Sequence, residues 1–342
     1  MVYTQLKESE FQIVKNIKYS WTIRELARRS SLSYSKVWRF LQDLKGKGKI
    51  YFMVNYRRLN LAPVILITRK KEKIYEMPPY TMSIREIYGL KRQRLLITAI
   101  LPPDFVRKYL DLLGLEIETH VKGYEYIRWS YNDKFSIYVP NLRIIVPVYG
   151  NIEKLAFKYD YPVETNYTLD APDIIDLAII HGKSINVFMT SGEAVNFVRR
   201  IDPLFPRVSK QLISYHARKH VKELFWRGNT INFFAPMSSV PIRIWYFEGR
   251  DAPIISRILA NIPTFFSATI DVEKAVVVGQ PPCNMIEDLY KRVFSIFEDV
   301  EMPLGELVLS SRSMQRFQPH LWRLVEKGKW MWIDEPLYVL KR

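Results

Sequence analysis

The chain has 342 residues, 48% of them hydrophobic, enough to bury sizeable cores and to suggest roughly two to four domains. The formal charge is +16, and residues 1–100 hold 21 Lys or Arg against 7 Asp or Glu, so most of the excess sits in the first third. No stretch approaches the roughly 18 uninterrupted apolar residues of a membrane span, and the single cysteine, Cys283, excludes an internal disulfide and a four-cysteine zinc site.

The opening "MVYTQLKESEFQIVK" lacks the apolar core of a secretory signal, so a cytoplasmic protein is expected. In chain order, Phe11, Val14 and Ile17 stand at helical spacing and predict a first helix over about Glu8 to Lys18. Thr22 and Glu25 form a capping-box pattern for a second helix, which buries Ile23, Leu26 and Ala27. After "RSSLS", Ser33 can cap a third helix running to about Lys45, with Val37, Phe40, Leu41 and Leu44 as its apolar stripe. Glycines in "KGKGK" end it, and "IYFMVNYRRL" has strand composition, read as part of a hairpin.

These elements form the pattern of a winged helix-turn-helix. The start of the third helix is left free to enter a major groove, so Ser33, Tyr34, Ser35, Lys36 and Arg39 are expected at bases or phosphates. Arg28 and Arg29, Lys47 and Lys49, and Arg57 and Arg58 suit backbone phosphates. A concentrated basic block on a foldable segment points to a polyanion, here double-stranded DNA. The stretch "TIRELARRSSLSYSKVWRFLQDLKGKGKI" resembles the helix-turn-helix of the Lrp/AsnC regulators and related archaeal winged-helix proteins. The resemblance covers about the first 60 residues and departs at Ser31, where a glycine is usual.

Beyond it, "APVILITRK" reads as a strand, and "RLLITAILPPDFVRKYLDLLG" as strand, turn and helix, with Phe105, Val106, Tyr109, Leu110 and Leu113 buried. "LEIETHVKGYEYIRWSY" adds strand material. Sheet plus helix after a winged helix resembles the ferredoxin-like (ACT/RAM-like) effector domain of the same family. That resemblance implies pairing, including a homodimer, and a small-molecule effector in some members. No ligand motif supports an effector here.

Three segments recur in the same order about 180 residues apart: 44–52 with 224–234, 32–44 with 213–224, and 96–113 with 275–294. The expected organisation is therefore an α+β pseudo-repeat. It places a winged helix-turn-helix over 1–60, a ferredoxin-like domain over 61–139 and a packed linker over 140–168, then a second winged helix-turn-helix over 169–235 and a second α+β domain over 236–342. In the second copy Ser191 is the expected cap of the middle helix, Leu212, Ile213, Ala217, Val221 and Leu224 are expected to bury, and Lys210, Gln211, Ser214, Tyr215 and Arg218 to face DNA.

His216 and His220, four apart beside Arg218, Lys219 and Lys222, sit in a poor field for a cation and read as phosphate contacts or plain surface. No paired carboxylates or activated nucleophile stand out. The expectation is thus a DNA-binding transcription regulator that is not an enzyme and has no cofactor or metal. A non-specific DNA organiser and a protein-interaction module are the alternatives.

Overall fold

A computed structural model describes residues 4–69, 76–90, 92–150, 152–167 and 172–338. The N-terminal unit holds α1 (Glu8–Asn16), α2 (Ile23–Arg29) and α3 (Tyr34–Asp43), followed by β1 (Gly48–Val54). Its caps are local. The Glu25 N–H donates to Thr22 Oγ1 at 3.1 Å, and the Trp21 N–H donates to Glu25 Oε2 at 2.9 Å. Ser33 Oγ accepts from the Lys36 N–H at 3.3 Å. Phe11, Val14, Leu26, Ala27, Val37 and Phe40 close one apolar cluster beneath them.

The next strands are β2 (Ala62–Arg69), β3 (Glu76–Met77), β4 (Thr81–Gly89) and β5 (Arg92–Leu101). Then come α4 (Val106–Leu113), β6 (Ile117–Lys122), β7 (Glu125–Arg128), a hairpin of β8 (Ser136–Val139) and β9 (Ile144–Pro147), and α5 (Ile152–Tyr159). A second helical unit contains α6 (Ile174–Ile185), α7 (Ser191–Ile201) and α8 (Lys210–Tyr215), which widens into a π-helix over His216–Phe225 and leads into β10 (Trp226–Phe233). The chain ends with β11 (Arg243–Glu248), α9 (Ala252–Asn261), β12 (Phe265–Ile270), β13 (Lys274–Gly279), α10 (Cys283–Arg292) and β14 (Glu306–Arg316). Short strands β15 (Val325–Glu326), β16 (Lys329–Trp330) and β17 (Leu337–Tyr338) follow, with β17 pairing to β3.

The fold is α+β with a large antiparallel sheet ordered β6-β2-β5-β4-β14-β11-β13-β12-β7. The two ends of that order, β6 and β7, are joined by only Gly123 and Tyr124. Both ladders continue through the join: the Gly123 N–H donates to Pro63 O at 2.7 Å and the Tyr124 N–H to Ile270 O at 2.9 Å. The sheet therefore closes on itself. A Cβ at Gly123 would stand 2.6 Å from Thr269 Cγ2 and 2.8 Å from Pro63 O, so this crossing requires glycine.

Each half contributes four strands in the spatial order fourth, first, third, second: β6-β2-β5-β4 and β14-β11-β13-β12. The fourth strand of each half pairs first with its own half and then crosses to the other. β14 pairs with β11 and then β4, while β6 pairs with β2 and its continuation β7 with β12. Ile65, Ile67, Leu96, Ile244, Tyr246, Val276 and Leu307 fill the space inside. The outer faces are covered by α4 on the first half and by α5, α9 and α10 on the second. The repeated proline pairs occupy equivalent places, between third strand and following helix.

Several expectations change. The hairpin wing is not formed among the described residues. Instead β1 pairs antiparallel with β10, from Gly48 opposite Phe233 to Val54 opposite Trp226, so one ladder is shared by both helical units. β8 and β9 straddle the expected boundary at 139/140. The boundary at 168/169 lies outside the described residues. Within the expected linker, Tyr159 and Tyr161 are held against the second half: Arg257 Nη1 donates to their carbonyls at 2.8 Å and 2.7 Å, while its other nitrogens grip Glu125. The middle helix of the second unit is capped by Thr190, not Ser191, because Glu193 three residues on completes a capping box with it.

Candidate nucleic-acid interface

α3 presents Ser33, Tyr34, Ser35, Lys36, Trp38 and Arg39 to solvent, while Val37 and Phe40 hold it down. Lys36 and Arg39 form no ion pair among the described residues. Arg24, Arg28, Lys45 and Lys47 extend the exposed positive field around the helix. The turn before α3 has the geometry of a left-handed helix end. Ser31 takes φ 55°, its N–H donates to Arg28 O at 3.2 Å, and the Leu32 N–H donates to Ala27 O at 3.0 Å. Trp38 was absent from the expected contacts. Its signal was available: it lies four residues from Tyr34 and off the apolar stripe, and the two exposed rings stack with centroids 6.5 Å apart.

Not every expected cation is presented. Arg29 is paired with Glu25 at 3.3 Å on its own helix. Arg57 is held by Glu164 at 2.6 Å and by the Asn166 carbonyl, which removes it from the interface. Arg58 is exposed in the turn after β1. Lys47 is exposed, and its carbonyl accepts from the Phe234 N–H at 2.8 Å. Lys49 reaches along the Tyr51 ring toward the closed sheet. Burial of its ammonium first, then the charges of Arg316, Arg128 and Arg85, pull its pKa below the ordinary lysine range, although much of the side chain stays exposed.

In the second unit Lys210, Gln211, Ser214, Tyr215 and Arg218 are all exposed. However, Lys210, Ser214 and Arg218 line a groove of about 470 Å³, with Trp21 of the first unit and Lys222 on its walls. The surface is concave there, whereas the side chains that α3 presents stand exposed outside that groove. Of the expected apolar stripe, Ile213, Ala217 and Val221 bury, whereas Leu212 is 43% exposed.

The histidines correct an expectation outright. His216 is buried and His220 half-buried, and both rings are turned onto Asp176. His216 Nδ1 lies 2.9 Å from Asp176 Oδ1 and 3.4 Å from Asp173 Oδ2, and His220 Nδ1 lies 3.1 Å from Asp176 Oδ2. Burial, followed by the charge of Asp173, raises the Asp176 pKa, and the two imidazole hydrogen bonds oppose it. One donor atom from each of Asp176, His216 and His220 lies within 4.8 Å of the others, a set that a divalent transition metal accepts. The same contacts are also satisfied by one carboxylate orienting two imidazoles.

Nearby, burial and then His320 lower the His181 pKa to about 4. Burial and then Lys222 lower that of Lys183 to about 8, its ammonium resting 4.0 Å from the Trp21 ring centroid. Sequence spacing hinted at the histidine pair but not at the aspartate forty residues upstream that joins it. No helix of the described residues is long and apolar enough to cross a membrane.

No family model matches this chain, and no curated protein matches it. Among solved structures, the siroheme decarboxylase NirDL is similar over 89% of this chain and 91% of its own, at 12% sequence identity and a TM-score of 0.44. That likeness carries nothing about this chain's own chemistry. The expectation that this chain is not an enzyme is withdrawn, because Asp176, His216 and His220 bring a carboxylate oxygen and two imidazole nitrogens within 4.8 Å of one another; that the structural neighbour is an enzyme is said of that protein alone.

Proposed function

We propose that this chain binds duplex DNA through α3 and belongs with the Lrp/AsnC-type winged helix-turn-helix regulators, with two ferredoxin-like units fused into the closed sheet. The observation that carries the reading is the exposed, unpaired basic ridge of α3, anchored from behind by Val37 and Phe40. The β1–β10 ladder supports a further feature. Antiparallel pairing of equivalent strands is what a local two-fold relation produces, so one chain supplies two helical units as a homodimer would. The second unit then contributes a weaker contact, because its basic side chains line a groove rather than a ridge. The ladder holds the two heads at fixed separation and gives the second a high effective concentration.

Selection of bound duplexes from a random pool, followed by affinity measurements at several salt concentrations, tests this. A specific regulator enriches a sequence, and each lost phosphate contact lowers the salt slope by about one. Lys36→Glu with Arg39→Glu is expected to abolish duplex binding while the fold stays intact by circular dichroism. Unchanged binding by that variant overturns the proposal, and binding without any enriched sequence makes the chain a non-specific organiser.

A further inference from the structure

The β1–β10 ladder has two faces. Ile50, Phe52, Val54 and Ile231 pack into the helical units. By strand alternation Lys49 and Tyr51, with Asn232 and Thr230 opposite them, therefore turn toward the closed sheet. Three arginines meet them there. The Arg128 guanidinium, at the end of β7, lies 3.7 Å from the Tyr51 ring centroid, and Lys49 Nζ lies 5.1 Å from the same centroid. With the Asn232 amide turned so that its oxygen accepts, Arg128 donates to it at 3.1 Å. Arg85 on β4 stands opposite Met314, and Arg316 on β14 opposite Ser83, which makes the two arginines diagonal neighbours on one face. Arg85 is itself lowered in pKa by burial and then by Arg316, with Arg128 adding to the effect.

What distinguishes these four cations is the absence of a carboxylate. Elsewhere the sheet's enclosed arginines are matched: Arg257 to Glu125 at 2.6 Å, Arg94 to Glu118 at 2.8 Å and Arg243 to Glu306 at 2.5 Å. Lys49, Arg85, Arg128 and Arg316 have no ion pair among the described residues; the phenols of Tyr51, Tyr56 and Tyr126 neighbour Arg128, and that of Tyr51 also neighbours Arg85 and Lys49. The Thr230 hydroxyl, on the same ladder face, is buried without a hydrogen-bond partner. Arg85 and Arg128 are half-buried while Lys49 and Arg316 stand at the exposed rim, and gathering like charges around partly desolvated groups is unfavourable unless something negative joins them.

We propose that the space between the ladder and the closed sheet binds a small organic anion bearing at least two phosphate or carboxylate groups, held by Lys49, Arg85, Arg128 and Arg316. This goes beyond the DNA reading and does not depend on it, since the site lies on the ladder face turned away from the helical units. Calorimetric titration of the full chain with tripolyphosphate and with citrate at low salt tests it. Saturable binding of one equivalent of either probe is expected, and the tighter of the two identifies the phosphate or the carboxylate class. Arg85→Gln and Arg128→Gln each remove a charge-assisted contact and should weaken that probe about tenfold or more. Lys49→Met, at the exposed rim, gives the same weakening should a buried arginine variant fail to fold. Lys36→Glu should leave probe binding unchanged. Without any anion, Arg85→Gln should melt no lower than the parent, because it relieves repulsion. No saturable binding of either probe, or undiminished binding in Lys49→Met and the arginine variants, overturns the proposal.

Discussion

The first helical unit keeps its charges outside. Beneath α1–α3 the enclosed side chains are Phe11, Val14, Leu26, Val37 and Phe40, and the polar ones buried with them are Ser20 and Ser30. The second unit encloses Asp176, Lys183, Asp202 and His216, with His181 half-buried beside them. The same three-helix scaffold thus serves two electrostatic arrangements. One projects Lys36 and Arg39, without ion pairs among the described residues, and encloses mainly apolar side chains. The other spends part of its interior on coupled titratable groups, and its widened last helix brings His216 and His220 to a single carboxylate. A π-helical segment of this kind is uncommon and is frequently associated with functional sites.

The sharpest way to break this comparison is to remove the shared carboxylate. Asp176→Ala leaves two imidazoles without their acceptor and should cost the protein about 3–5 kcal/mol. Lys36→Ala on the first unit's exposed ridge should stay within about 0.5 kcal/mol of the parent. Urea unfolding of both variants measures the difference. Equal losses would show that the second unit's interior polar groups hold nothing together.

Acid should then separate the units. In the folded protein burial lowers the His181 pKa to about 4, below its unfolded value, so the unfolded chain takes up the proton first. That contribution is fully present above about pH 6.5 and is lost as pH falls toward 4, for at most about 3 kcal/mol. The Arg323 guanidinium first, and then the Trp322 indole, hold the Asp202 carboxyl down at about 2. Its contribution is present above about pH 4 and is lost as pH falls through 2, for about 2 kcal/mol. Stability followed by urea unfolding from pH 7 to pH 3 should fall through the first window, and His181→Phe should flatten that part of the profile. An unchanged slope in the variant would remove His181 as the cause.

How far the sequence reached follows from the range of the interactions involved. The caps at Thr22 and Ser33, the stripe on α3 and the outward direction of Lys36 and Arg39 were legible because each depends on residues within one or two turns. The β1–β10 ladder was not, since strand composition names no partner and the true one lies some 180 residues away. Lys49 and Arg57 were misplaced for the same reason: the pairing of β1 with β10 turns Lys49 toward the closed sheet, and Glu164 holds Arg57. The π-helical winding from His216 onward defeated ordinary helical spacing and buried Phe225 rather than Leu224, while Leu212, in the α-helical turn before it, stands outside. The recurrence of three segments, by contrast, located equivalent strands and helices in both halves, because order along the chain survives where side chains diverge.

The smallest expected effect concerns the turns that set the two third helices. In the first unit the turn is completed by one left-handed residue, Ser31, with the paired hydrogen bonds to Arg28 O and Ala27 O. In the second, residues 202–208 take a longer path, pinned by buried Phe205 and by the Leu204 N–H donating to Asp202 Oδ1 at 3.3 Å. A serine pays a Cβ penalty at positive φ that glycine avoids, partly offset by glycine's greater freedom in the unfolded chain. Ser31 is exposed, so its replacement removes no core packing. Ser31→Gly should therefore raise stability by about 0.5 kcal/mol in urea unfolding and leave duplex affinity unchanged. A drop in stability would mean that the serine hydroxyl, rather than the backbone geometry, holds α2 and α3 at their angle.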